Sequence, residues 1–152
     1  MTRGTLNLKI VGDRLDLIAD CLNGLRKLPA TSLEEFSSDY RNPATAESLL
    51  RRAVQAVFDL LRHMTAKAHG RGLLEYKELA RIAREKSFIQ DPELLKVLDQ
   101  LAGFRNRLTH FYDEVTSEEL YGILRNDLED LERIAEELRR TAAGLAGGSP
   151  TP

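Results

Sequence analysis

The chain has 152 residues, a length that makes one domain. Its net charge of −2 argues against a general nucleic-acid coat protein, and its single cysteine, Cys21, excludes an internal disulfide and a cysteine metal cluster. No apolar run approaches the roughly 18 residues of a membrane span, and no stretch has the pattern of a secretory leader, so the expectation is a cytoplasmic protein away from the membrane.

Nothing alternates at period two, so the expected fold class is all-α, an antiparallel bundle of about five helices. A first helix is expected over about Leu6 to Leu28, with Ile10, Leu15, Ile18, Leu22 and Leu25 facing inward and Pro29 beyond its end. Cys21 shares that apolar face and reads as a small buried filler. The polar run Ser37 to Pro43 reads as a connection to a second helix, about Ala44 to Ala68, stopped by Gly70. Its inward stripe is Leu50, Ala53, Val54, Val57, Leu60, Leu61 and Met64. A shorter helix over about Glu75 to Glu85 buries Leu79 and Ile82. Asp91-Pro92 then places a side-chain acceptor and a first-turn proline at the start of a fourth. Thr116 with Glu119 three residues on reads as a capping box for a last helix, with Leu120, Ile123, Leu124, Leu128, Leu131, Ile134 and Leu138 inward. The expected organisation is a helical domain over 1–143 and a small-residue, flexible tail over 144–152.

The fourth helix ends in Arg105-Asn106-Arg107-Leu108-Thr109-His110-Phe111-Tyr112. Leu94, Val97, Leu98, Leu101, Phe104 and Leu108 repeat at helical spacing, and Arg105 and Tyr112 project near the middle of that stripe. A guanidinium on such a face is costly unless something pairs with it. Asn106 and His110, four residues apart, share another face with Asp99 and Gly103. Arg105 and His110 lie roughly 140° apart on an ideal helix. They converge on one site only if the helix distorts near Thr109 or a second copy of the chain contributes.

Arg105, His110 and Tyr112 form an Arg-x4-His-x-Tyr pattern, and the block Gly103 to Tyr112 together with Glu118-Glu119-Leu120-Tyr121 resembles HEPN-domain proteins of the HepT toxin family. Weaker similarity runs through Leu33 to Phe36, Leu49 to Leu61 and Tyr76 to Leu79, so the resemblance spans roughly residues 33 to 135. It implies an endoribonuclease toxin acting in a cleft shared by the two protomers of a homodimer. The cleaved RNA would carry 2′,3′-cyclic phosphate and 5′-hydroxyl ends. A nucleotidyltransferase antitoxin would neutralise the toxin by attaching AMP to Tyr112.

The residue chemistry agrees with that implication. Metal-independent RNA cleavage needs a base for the ribose 2′-hydroxyl, a cation for the phosphate and an acid for the leaving 5′-oxygen. Imidazole suits the proton transfers, and guanidinium suits the phosphate. His110 is then the acid or base, Arg105 the phosphate clamp, and Asn106 a group that positions either. For each a plainer role stands beside it. His110 can bind helix-end carbonyls, Arg105 can pair with Asp99 or Glu114, and Tyr112 can pack on the stripe. Arg107 is expected on the exposed side, solvated, with RNA contact a lesser option. Further basic residues lie at Arg51, Arg52, Arg62, Lys67 and Arg71 and at Arg125, mostly solvated unless a dimer gathers them into one cleft. His63 and His69, six residues apart, point away from one another and make no metal pair, and His69-Gly70-Arg71-Gly72 lacks the Lys-Ser/Thr of a phosphate loop. No metal and no cofactor are expected. The rival reading from another class is a non-catalytic helical dimerisation or scaffold module that partners a nucleotidyltransferase.

Overall fold

A computed structural model describes residues 6–69, 75–108 and 115–147, and among them the chain is helix and connection without strand. Seven helices follow in order: α1 Leu8–Arg26, α2 Leu33–Ser37, α3 Arg41–His69, α4 Tyr76–Glu85, α5 Pro92–Leu108, α6 Ser117–Asn126 and α7 Leu128–Gly147. The long α3 is the axis of the bundle. Its stripe from Leu50 through Met64 is fully buried, joined by Ala46, Ala56 and Phe58, because α1, α4, α5, α6 and α7 all pack around it. A helix covered on so many sides reads apolar over most of its circumference.

The expected first helix keeps its position but turns differently. Val11, Ile18, Cys21, Leu22 and Leu25 are buried, whereas Leu15 is only half-buried and Ile10 is exposed. The spacing Val11–Ile18–Leu22–Leu25 forms the ridge that meets α3, and Ile10 stands about 100° from it. Asn7 caps α1 by accepting from Lys9 N (3.0 Å) and Ile10 N (3.3 Å).

The polar run read as a connection, Ser37 to Pro43, is one only over Ser38–Tyr40, with helix at both ends. Ser32 caps α2 by accepting from Glu35 N (3.0 Å), and its Phe36 drops wholly into the core. Asp39 Oδ1 then accepts from Arg41 N (3.0 Å), so α3 begins at Arg41. Pro43 falls in its first turn, where no backbone donor is needed. The last expected helix is two, divided at Asp127: α6 packs on α2 and α3, while α7 packs on α1 and α5. All seven of its expected inward residues are nevertheless buried. Helix α7 runs to Gly147, so helix also covers the first four residues assigned to the tail.

Between α4 and α5 the chain turns without glycine. Ser87 adopts a positive φ of 58°, and Phe88 N donates to Ala83 O (2.9 Å) while Ser87 N donates to Arg84 O (3.1 Å). This is a Schellman ending. Asp91 starts α5 as expected, accepting from Glu93 N (2.9 Å).

Candidate functional site

Arg105 stands in the last turn of α5, half-buried, and faces α3 and α4. Its Nε donates to Gln55 Oε1 (2.7 Å), and its guanidinium lies over the Tyr76 ring, 5.4 Å from the centroid. The Tyr76 hydroxyl donates to the same Gln55 oxygen (3.2 Å), while Gln55 Nε2 donates to Asp59 Oδ1 (2.8 Å). Two donors on the oxygen and one acceptor at the nitrogen leave the amide a single orientation. The pairing with Asp99 weighed for Arg105 is therefore replaced by a neutral amide, and Glu114 lies outside the described residues. A neutral partner anchors the guanidinium and leaves its charge available.

Two more guanidiniums complete the cluster. Arg62 of α3 approaches Asp59 Oδ1 (3.5 Å) and also lies over the Tyr76 ring, 5.8 Å from its centroid. Arg14 of α1 approaches Asp59 Oδ2 (3.8 Å). Arg14 and Arg62 thus share Asp59, while Arg105 is linked to that carboxylate only through Gln55. Nearby, His63 Nε2 accepts from Asn7 N (3.1 Å), which ties the start of α1 to α3 and gives that histidine a structural partner.

On the far side of α5, Asp99, Gly103 and Arg107 line a cleft of about 430 Å³ with Lys77, Glu119, Gly122 and Asp127. Gly103 stands roughly 160° round the helix from Arg105. Half-buried Asn106 lies nearer the Gly103 side. Arg107 is not the solvated residue expected. Nη1 donates to Glu119 Oε1 (2.7 Å) and Nη2 to Oε2, and the guanidinium lies over Phe104, 5.9 Å from the centroid. Glu119 consequently serves α5, not the reciprocal half of the expected box, although Thr116 does accept from Glu119 N (3.1 Å). Burial, then Asp130, pushes the Asp127 carboxyl upward from its ordinary value. His110 and Tyr112, with Thr109, Phe111 and Glu114, lie outside the described residues, as do the side chain of Lys67 and all of Arg71.

The cluster residues missed from sequence are Gln55, Asp59, Tyr76 and Arg14. A signal existed: Gln55, Asp59 and Arg62 follow at i, i+4 and i+7, a polar line on the stretch of α3 whose apolar residues, Ala53 to Met64, are buried. Among the described residues no group of three or more His, Cys, Asp or Glu is gathered as a metal would require, and no helix is long and apolar enough to cross a membrane.

Comparison with known proteins adds family and fold. Residues 18–138 match the family model described as ribonuclease HepT-like. A tRNA nuclease HepT of Aphanizomenon flos-aquae is 29% identical over 113 residues, covering 74% of this chain and 76% of that protein. The HEPN toxin of Shewanella oneidensis, solved tri-AMPylated and in complex with an MNT antitoxin, superposes with a TM-score of 0.75 at 18% identity, covering 86% of this chain and 97% of that one. A mutant MntA–HpeT toxin–antitoxin structure gives a TM-score of 0.74 at 18% identity, with 87% and 98% covered. The all-α HEPN fold is shared with both.

Proposed function

Because this chain belongs to the ribonuclease HepT-like family, we propose that it is the endoribonuclease toxin of a toxin–antitoxin pair, cleaving RNA without a metal. The observation that carries the reading is the setting of Arg105. Gln55 holds its Nε, no carboxylate of the described residues holds its terminal nitrogens, and Arg62 lies over the same Tyr76 ring. That is how a phosphate clamp is built: a permanent charge, oriented in advance and not internally neutralised.

In this mechanism Arg105 holds the scissile phosphate and Asn106 positions it or the imidazole. His110 removes the 2′-hydroxyl proton, and an imidazole returns a proton to the departing 5′-oxygen. Attack of the 2′-oxygen on phosphorus forms the 2′,3′-cyclic phosphate as the bond to the 5′-oxygen breaks, so no water and no metal enter the step. Asn106 stands about 100° and Gly103 about 160° round α5 from Arg105. This divergence supports an active site completed by the second protomer of a homodimer. Control falls to a nucleotidyltransferase antitoxin that attaches AMP to Tyr112, adding bulk and negative charge near the clamp. The complexes solved for the structural neighbours, one of them AMPylated, support that partner, and the tRNA nuclease relative makes tRNA the first substrate to assay. Residues 1–143 are the domain that does this work.

His110→Ala decides the matter. Purified and dimeric, it is expected to lose RNA cleavage by about 10²–10⁴-fold, while the parent cleaves equally well in EDTA. Undiminished cleavage by folded His110→Ala would remove the catalytic assignment and leave the scaffold reading.

A further inference from the structure

The Gln55 amide has two ends of one shape and opposite chemistry. Turned one way it gives Arg105 an oxygen; turned the other, it would set an NH2 against a guanidinium that can only donate. Tyr76 does not settle the choice, because a phenol hydroxyl both donates and accepts. We propose that Asp59 is a positioning residue for the Arg105 clamp, acting through Gln55 to keep the amide oxygen on the guanidinium; it rests on the RNA-cleaving reading above.

Three observations converge on Asp59. First, its Oδ1 accepts from Gln55 Nε2 at 2.8 Å while Gln55 Oε1 accepts from Arg105 Nε at 2.7 Å. An ionised carboxylate can only accept, which commits the NH2 to the Asp59 side whether or not Arg105 is engaged with a phosphate. Second, Asp59 is itself fixed. It follows Gln55 by about one turn on α3, and ion pairs to Arg62 at 3.5 Å and Arg14 at 3.8 Å offset its charge. The hydrogen bond to Gln55 is the shortest of these three contacts. Third, both hydrogen bonds of the relay are part-buried, where water competes less and such bonds strengthen one another. The line Asp59–Gln55–Arg105 thus sets the direction of the guanidinium from α3 before RNA arrives. Charge alone supplies the initial attraction of RNA, whereas direction counts in the transition state. A broken relay therefore shows in kcat.

The structural alternative is that Asp59 merely fastens α1 to α3 through Arg14. The test measures kcat and KM for RNA cleavage by the full chain, with the parent's activity established first. Asp59→Ala is expected to lower kcat roughly tenfold, the effect of one lost hydrogen bond to a charged group. KM stays level or falls, because a negative charge has left the surface that meets RNA. Asp59→Asn removes the same charge but keeps an oxygen that accepts from Gln55, so it recovers most of kcat. Arg14→Gln, which breaks the tie to α1 but not the relay, loses less kcat than Asp59→Ala. Asp59→Ala added to Gln55→Leu lowers kcat no further, since both lesions lie on one line. A folded Asp59→Ala with the parent's kcat, Asp59→Asn or Arg14→Gln as slow as Asp59→Ala, or independent losses in the double variant would each overturn the relay and leave the RNA reading standing. A parent that does not cleave RNA would overturn that reading and the relay with it. Where Asp59→Ala does not fold, NMR of the parent decides. The Gln55 side-chain NH2 is expected to exchange its hydrogens at least about tenfold more slowly than that of exposed Gln100, and equal rates would overturn the proposal.

Discussion

Gln55 receives Arg105 Nε and the Tyr76 hydroxyl on one oxygen, so its removal strips partners from a permanent cation and a phenol together. Gln55→Leu is expected to lower kcat/KM for RNA roughly tenfold, since a hydrogen bond to a charged group contributes about 1.5–3 kcal/mol and this one is only partly desolvated. Gln55→Glu keeps the geometry but supplies a carboxylate; its expected signature is weaker RNA binding with a shallower salt dependence. Equal activity in all three proteins would show that Arg105 needs no such anchor. Asp127 gives a pH test of the opposite cleft. Burial raises its folded value above the roughly 3.9 of an unfolded chain. Its contribution to stability is therefore complete below that pH and is lost as pH rises through the raised value. Asp127→Asn mimics the protonated carboxyl, so its thermal midpoint should exceed the parent's at neutral pH and match it near about pH 3. A gain that persists in acid would point to another cause.

The α4–α5 turn is paid for in backbone strain at Ser87, whose φ of 58° suits glycine better. Ser87→Gly should stabilise the protein by about 0.5–1 kcal/mol, measured as a higher urea midpoint with unchanged slope. The turn is worth that strain because it delivers Phe88 and Ile89 into the core, with Thr141 Oγ1 donating to Phe88 O (2.8 Å) to bind α7 to the same corner. At the other end of α5, the Arg107–Glu119 pair joins α5 to α6. Glu119→Gln should cost up to about 1 kcal/mol, the usual ceiling for half-exposed pairs. Charge reversal at both positions should recover part of that loss. A loss confined to RNA binding, with stability unchanged, would restore Arg107 to the RNA-contacting role.

Across the whole molecule a net charge of −2 coexists with two arginines on one carboxylate and a third, Arg105, beside Arg62 on the Tyr76 ring. Phosphate binding depends on such local arrangement and not on total charge. The divergence of Arg105 from the Asn106 face makes a prediction about assembly. Co-expressing Arg105→Ala with His110→Ala subunits should regain RNA cleavage, because a mixed dimer concentrates both lesions in one composite site and leaves the other intact. Mixing that restores nothing, in dimers verified by mass, would place each pair within one chain.

Period and punctuation in the sequence determined the elements: the α3 stripe, the Asp91-Pro92 start and the inward residues of α6 and α7 all follow from local spacing. The Arg-x4-His-x-Tyr block likewise carried the family, since a motif is itself a local pattern. Local spacing could not show that Ile10 faces out or that helix breaks at Asp127, because both depend on which neighbour each face meets. Nor could it assign partners. That Arg105 answers to Gln55, 50 positions away, and Arg107 to Glu119 is a matter of which helices pack side by side. Tertiary structure alone decided those pairings, because a guanidinium is satisfied by what lies within hydrogen-bond reach in space, however distant in the chain.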